Sequence, residues 1–155
     1  MKQLFLILSF ISISTACNTV ERGAAENDTL SRKLFDTLRD NDFDKYVILI
    51  PDKGTFRKIQ EHNGQEMEDV NKVYEEALQT AENRFNDTRS MFGKWETCKF
   101  LHNTVEPSKY GNLPSEVITI KFNGDGGPYK VTVTSVKFNN RWYCMGDLNW
   151  VVKTD

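Results

Sequence analysis

The chain has 155 residues, room for one domain with a real core and not comfortably for two. Hydrophobic residues make up 39% and aromatic residues 12%, which excludes wholesale disorder. Twenty Lys and Arg against 22 Asp and Glu give a net charge of -2, with no basic excess for a nucleic-acid partner, and three Cys and two His are too few and too scattered for a zinc ribbon or a disulfide-dense miniprotein.

Met1-Lys2-Gln3 supplies a short positive start, and Leu4 to Ile13 is an apolar run interrupted by Ser9 and Ser12. A run this short falls below the ~20 residues that span a bilayer, so it reads as the core of a secretory signal. Ser14-Thr15-Ala16 places small residues directly before Cys17, and the four together resemble a bacterial lipobox. Ser14 departs from the Leu usual at its position. The resemblance implies that residues 1–16 are a lipoprotein signal peptide, cut off before Cys17, and that the Cys17 sulfur carries diacylglycerol. An ordinary secreted protein with a chance Cys is the alternative. Two or more acyl chains anchor stably, since each buried methylene contributes ~0.8 kcal/mol. No second long apolar run follows, so the expected state is a bacterial envelope protein, periplasmic or outer-membrane associated, tied to the membrane by lipid. Loss of Lys2 with the signal leaves 19 basic against 22 acidic residues, a net charge of -3 that gives anionic lipid nothing to attract. Residues 17–29 lack large apolar side chains apart from Val20 and read as a flexible tether, with a single domain over 30–155.

From Leu30 the apolar spacing is helical, with Leu34, Phe35 and Leu38 on one face and Thr29 or Ser31 available as a cap. Asn41-Asp42 breaks this piece, a second short apolar segment runs from Phe43 to Ile50 and ends at Pro51, and Thr55 caps a third with Phe56 and Ile59. The longest periodic stretch runs from Glu66 to Phe92 through Met67, Val70, Tyr74, Leu78, Ala81 and Phe85, with Gly93 as the stop. Glu66, Glu68 and Asp69 fall at its start, where the helix dipole favours carboxylates; no His or further carboxylate at ligand spacing argues for a metal there. After Gly93 the period becomes two, and Lys94–Val105, Glu116–Asn123, Pro128–Phe138 and Arg141–Val152 are strand candidates. Gly124-Asp125-Gly126-Gly127 and Asn139-Asn140 are their tight connections. Val131 and Val133 share one phase while Val136 and Phe138 fall on the other, so this strand bends or buries both faces. The expected fold is α+β: N-terminal helices, one of them long, packed on a curved antiparallel four-stranded sheet.

Helices followed by an antiparallel meander look like the nuclear transport factor 2-like, cone-shaped superfamily. Residues 30–51, with a Leu/Phe-rich helix meeting Asn41-Asp42-Phe43, are similar to the opening helices of small lipoproteins in that superfamily, and NNRWYCMGDLNWV (139–151) resembles their closing strand. The resemblance implies a sheet wrapped around the long helix, and a cone that in some members holds an isomerase or dehydratase site with an Asp, Tyr or His.

Chemistry is weakly written in the chain. His102, in the first strand, and Asp147, beside Gly146 in the last, are the candidate catalytic groups, while His62 reads as a solvated loop residue. Tyr74, Trp95, Tyr129 and Trp142 are candidate pocket-lining residues, or simply core. Cys98 and Cys144 belong to the first and fourth strands, about 14 Å apart in a flat sheet, and are expected to be free buried thiols. If Asn139-Asn140 is a two-residue turn, Val136, Phe138 and Tyr143 share one side of a hairpin and Trp142 and Cys144 the other. One side covers the long helix; the other is a candidate docking face for a second copy or an envelope partner, unless the N-terminal helices cover it. Three readings follow: a noncatalytic binder of a ligand or protein, an isomerase- or hydrolase-type enzyme using His102 or Asp147, and a structural assembly subunit, with no metal or cofactor expected.

Overall fold

A computed structural model describes residues 20–146 and 148–154. Residues 1–16, read from the sequence as a signal, Cys17 and Asp147 lie outside these residues. Four α-helices precede the sheet: α1 (Asn27–Asp40), α2 (Phe43–Leu49), α3 (Lys53–His62) and α4 (Val70–Ser90). Helix α1 buries Leu30, Leu34, Phe35 and Leu38, the stripe its spacing predicts. It stops at Asn41, whose left-handed backbone (φ 56°) returns its N–H to the Thr37 carbonyl.

The next three helices are capped by aspartates. Asp42 accepts from the Lys45 amide, Asp52 from the Thr55 amide and Asp69 from the Lys72 amide. The cap of α3 is therefore Asp52, with Thr55 as the donor it serves. Glu66 and Glu68 precede the first turn of α4, so Asp69 alone of that acidic group acts on the helix end.

Strands β1 (Lys99–Tyr110), β2 (Leu113–Gly124), β3 (Gly127–Phe138) and β4 (Arg141–Cys144) form an antiparallel meander in that order, and β5 (Asn149–Lys153) returns to β3. The sheet is curved and does not close. Asn139 and Asn140 have φ of 50° and 60°, as a two-residue hairpin turn requires, and set Val136 opposite Tyr143 and Ser135 opposite Cys144. The expected single last strand is broken. Ser135 pairs with Cys144 and Thr132 with Asn149, so more residues separate Cys144 from Asn149 than separate their partners, and Gly146 there has φ 87°.

Each face of the sheet has its own cover. Ile118, Ile120, Phe122, Val131 and Val133 meet Leu30, Leu34, Phe35 and Leu38 in one core. Val136, Tyr143 and Met145 meet Phe56 and Ile59 of α3 in a second, smaller core. The element lying on β1, β2 and β4 is α1; the long α4 reaches the sheet at β5 and otherwise packs on α2 and α3. The reason is its narrow apolar stripe: within α4, Phe85 and Thr88 are the buried residues.

Two expectations are corrected here. Val136, Phe138 and Tyr143 do not form a docking face: Val136 is 0% and Tyr143 6% exposed, and Phe138 packs against the same cluster. Helix α3, one of the N-terminal helices, lies over them through Phe56 and Ile59. The tether is also shorter than residues 17–29. Ala24 is buried, Gly23 donates its N–H to the Ile48 carbonyl at 2.8 Å, and α1 starts at Asn27. Small side chains that look like linker composition are here the ones that fit a tight approach to β4.

Candidate functional site

Three helices and the segment after β4 leave a cavity of about 290 Å³ between them. Tyr46 comes from α2, Phe56 and Gln60 from α3, Tyr74 and Arg84 from α4, and Met145 from that segment. Each wall has a local cause. Asp52 and Asp69 fix the starts of α3 and α4, and Tyr74 donates its hydroxyl to the Pro51 carbonyl at 3.0 Å, tying α4 to the loop between α2 and α3. Burial raises the Tyr74 phenol above its ordinary value, so it stays a neutral donor. Arg84 is the charged residue among the described lining.

Gln60 is the buried polar side chain that α3 contributes to the cavity wall. It is 7% exposed, its Nε2 donates to the Tyr110 hydroxyl at 3.2 Å, and its buried Oε1 has no hydrogen-bond partner among the described residues. Cys144 also borders the cavity, but burial pushes its thiol up to about 12, so it supplies no thiolate nucleophile near neutral pH. Cys98, at the other end of the sheet, is pushed up to about 11 by burial and, secondarily, by Glu96. Both are free and buried.

The four aromatic residues expected around a pocket do not converge. Tyr74 lines the cavity. Trp95 is core: its ring stacks on Phe122 at 5.0 Å and its Nε1 donates to the Arg89 carbonyl at 3.0 Å. Tyr129 meets Phe92 edge-on at 4.6 Å and donates its hydroxyl to the Asp125 carbonyl at 2.8 Å. Trp142 packs against the α1 core, with Lys137 Nζ 5.7 Å from its ring centre. His102 is exposed on β1 and does not border the cavity. Asp147 follows the cavity-lining Gly146 in the chain and lies outside the described residues.

Sequence reasoning missed Gln60, and a signal for it existed. Four residues after Phe56 and next to Ile59, it occupies the buried phase of α3, where a polar side chain is out of place.

A second depression, between α1 and α2, carries Lys33, Asp36, Arg39, Asp40 and Lys45 on its walls. Its charges largely answer one another: Arg39 meets Asp36 at 3.0 Å and Asp40 at 2.9 Å, and Lys45 meets Asp42 at 2.8 Å. Exposed pairs of this kind contribute little and select no ligand. Among the described residues no cluster of three or more His, Cys, Asp or Glu is placed to hold a metal ion, and no helix is long and apolar enough to cross a membrane. No protein family, curated protein or solved structure matches the chain.

Proposed function

We propose that the chain is a bacterial lipoprotein, anchored through diacylglycerol on Cys17, whose single domain binds a small, largely apolar molecule without transforming it. The observation that carries the binding half is the cavity of about 290 Å³ walled by Tyr46, Phe56, Tyr74 and Met145 with one buried amide. Ligand sites are concave and mostly apolar, with few polar groups, and this one sits at the small end of the usual range of roughly 300–1,000 Å³. His102 lies away from it, and the Cys144 thiol is too weakly acidic to act as a nucleophile. The signal and the small residues before Cys17 support the anchoring half, as does the similarity of residues 30–51 and 139–151 to small lipoproteins of the nuclear transport factor 2-like superfamily. The envelope is the location this implies.

Intact mass of the chain extracted from bacterial membranes tests the anchor. Loss of residues 1–16 with added diacylglycerol and acyl mass is expected, and Cys17→Ser should release the protein from the membrane fraction. A mature chain carrying an unmodified Cys17 overturns it. Titration with one- and two-ring aromatic compounds, followed by amide chemical shifts of α3 and α4, tests the cavity.

A further inference from the structure

Orphaned buried acceptors are uncommon in native proteins, because burial strips them of water and nothing replaces it. Three side-chain atoms of this kind occur among the described residues: Asn27 Oδ1, Ser115 Oγ and Gln60 Oε1. Asn27 and Ser115 do not border the cavity, whereas Gln60 does. The Tyr110 hydroxyl, 3.2 Å from Nε2, occupies one side of the Gln60 amide and leaves the oxygen side unanswered. The cavity wall also carries the rings of Phe56 and Tyr74 and the Met145 thioether, with Thr80 and Arg84 contributed by α4.

We infer that the cavity selects one- or two-ring, largely apolar molecules bearing an O–H or N–H donor, which the Gln60 Oε1 accepts. This rests on the ligand-binding reading above and assigns its chemical class. A buried acceptor with no partner of its own discriminates between ligands by whether they supply a donor. A ligand that lacks the donor leaves Oε1 unpaired in the complex as well, whereas one that has it removes the deficit. The apolar walls add affinity without distinguishing the two.

The full chain, 15N-labelled, is titrated with 2-naphthol and with 2-methoxynaphthalene, which keeps the ring system and blocks the donor. Gln60→Met, close in length and apolar, is titrated in the same way, and each probe is compared between the native chain and the variant so that partition into detergent cancels. The expected result is at least tenfold tighter binding of 2-naphthol than of 2-methoxynaphthalene by the native chain. In Gln60→Met that ratio should fall to near one, through loss of 2-naphthol affinity. Equal binding of both probes, unchanged by Gln60→Met, overturns the donor assignment and leaves the cavity reading standing. A Gln60-dependent preference for 2-methoxynaphthalene overturns the assignment by turning the amide NH₂ toward the ligand. If neither probe shifts the cavity-lining amides, the ligand-binding reading itself falls. Ala77→Trp, on the exposed side of α4 at the cavity rim, should block both probes with the fold intact, and it locates the binding if Gln60→Met does not fold.

Discussion

Ala24 and Trp142 exchange both backbone hydrogen bonds, Ala24 N–H to the Trp142 carbonyl at 2.9 Å and Trp142 N–H to the Ala24 carbonyl at 2.7 Å. This isolated bridge adds the N-terminal segment to the outer side of β4, and it works because the residue before it is glycine. Gly23 has φ +69°, and a Cβ there would lie 2.5 Å from the Trp142 carbonyl oxygen and 2.9 Å from the Tyr143 ring.

Gly23→Ala should therefore cost about 2–4 kcal/mol, combining left-handed strain with overpacking, and lower the melting temperature by roughly 5–15 °C. Gly64→Ala is the control: it shares the positive φ (+74°) with nothing within 4 Å of the new Cβ, so it should show the strain alone, about 1 kcal/mol. Thermal unfolding followed by circular dichroism measures both. Equal losses would mean that Gly23 has no packing role.

Arg141 clamps the same segment from the side chain. Its guanidinium donates to the Arg22 carbonyl at 2.5 Å and the Gly23 carbonyl at 3.2 Å, and pairs with the Glu21 carboxylate. Arg141→Ala should speed hydrogen exchange at the Gly23 and Ala24 amides by about tenfold while leaving the β2–β3 amides unchanged. Uniform acceleration across the domain would show a global effect in place of a local clamp.

Tyr143→Glu should unfold the smaller core. Val136, Phe56, Ile59 and Met145 surround Tyr143, so the substitution places a carboxylate among apolar groups and should cost more than about 4 kcal/mol. Lost near-ultraviolet circular dichroism at 25 °C is the expected result. A folded variant with altered self-association would restore the docking surface that the structure removes.

Cys98 and Cys144 should be silent toward a thiol reagent at pH 8 in the native chain and react fully in denaturant, one equivalent each. Raising a thiol from 9.0 to about 12 cuts its thiolate fraction by about a thousandfold, before access is considered. The sign of the linked effect follows. Above about pH 9 the unfolded thiols ionise while the folded ones stay protonated, so stability is full below that pH and falls as pH rises through the interval to about 12. Chemical denaturation at pH 8 and pH 10 measures the fall.

What the sequence showed depended on how local the governing interaction is. The α1 stripe and the Asn139-Asn140 register involve neighbours in the chain, and the spacing of Leu30, Leu34, Phe35 and Leu38 or the identity of two turn residues suffices to read them. The cover over Val136 and Tyr143 comes from Phe56 and Ile59, about 80 residues earlier, and α3 carries nothing that says which sheet face it will meet. The N-terminal segment was misread for a related reason: Gly23 and Ala24 resemble linker composition until the Trp142 backbone is seen against them. Cavity residues suffered most, because Tyr46, Gln60, Arg84 and Met145 converge from four separate elements and none carries a motif. Tyr74, on the longest helix, is the one foreseen.

With β4 occupied by Ala24, the other end of the meander is the open one. Strand β1 is twelve residues long, mostly exposed, and shows Leu101 and Val105 to solvent. Proteins brought to a common surface meet their copies in two dimensions, where encounters are frequent and an open strand edge invites strand-to-strand polymerisation. Pro107 removes one donor from this edge, Glu106 and Lys109 flank it with charge, and the register slips between Phe100 and His102. On the lipid leaflet that the proposed Cys17 anchor implies, that spoiled edge would let many copies stand side by side without zipping into a fibre.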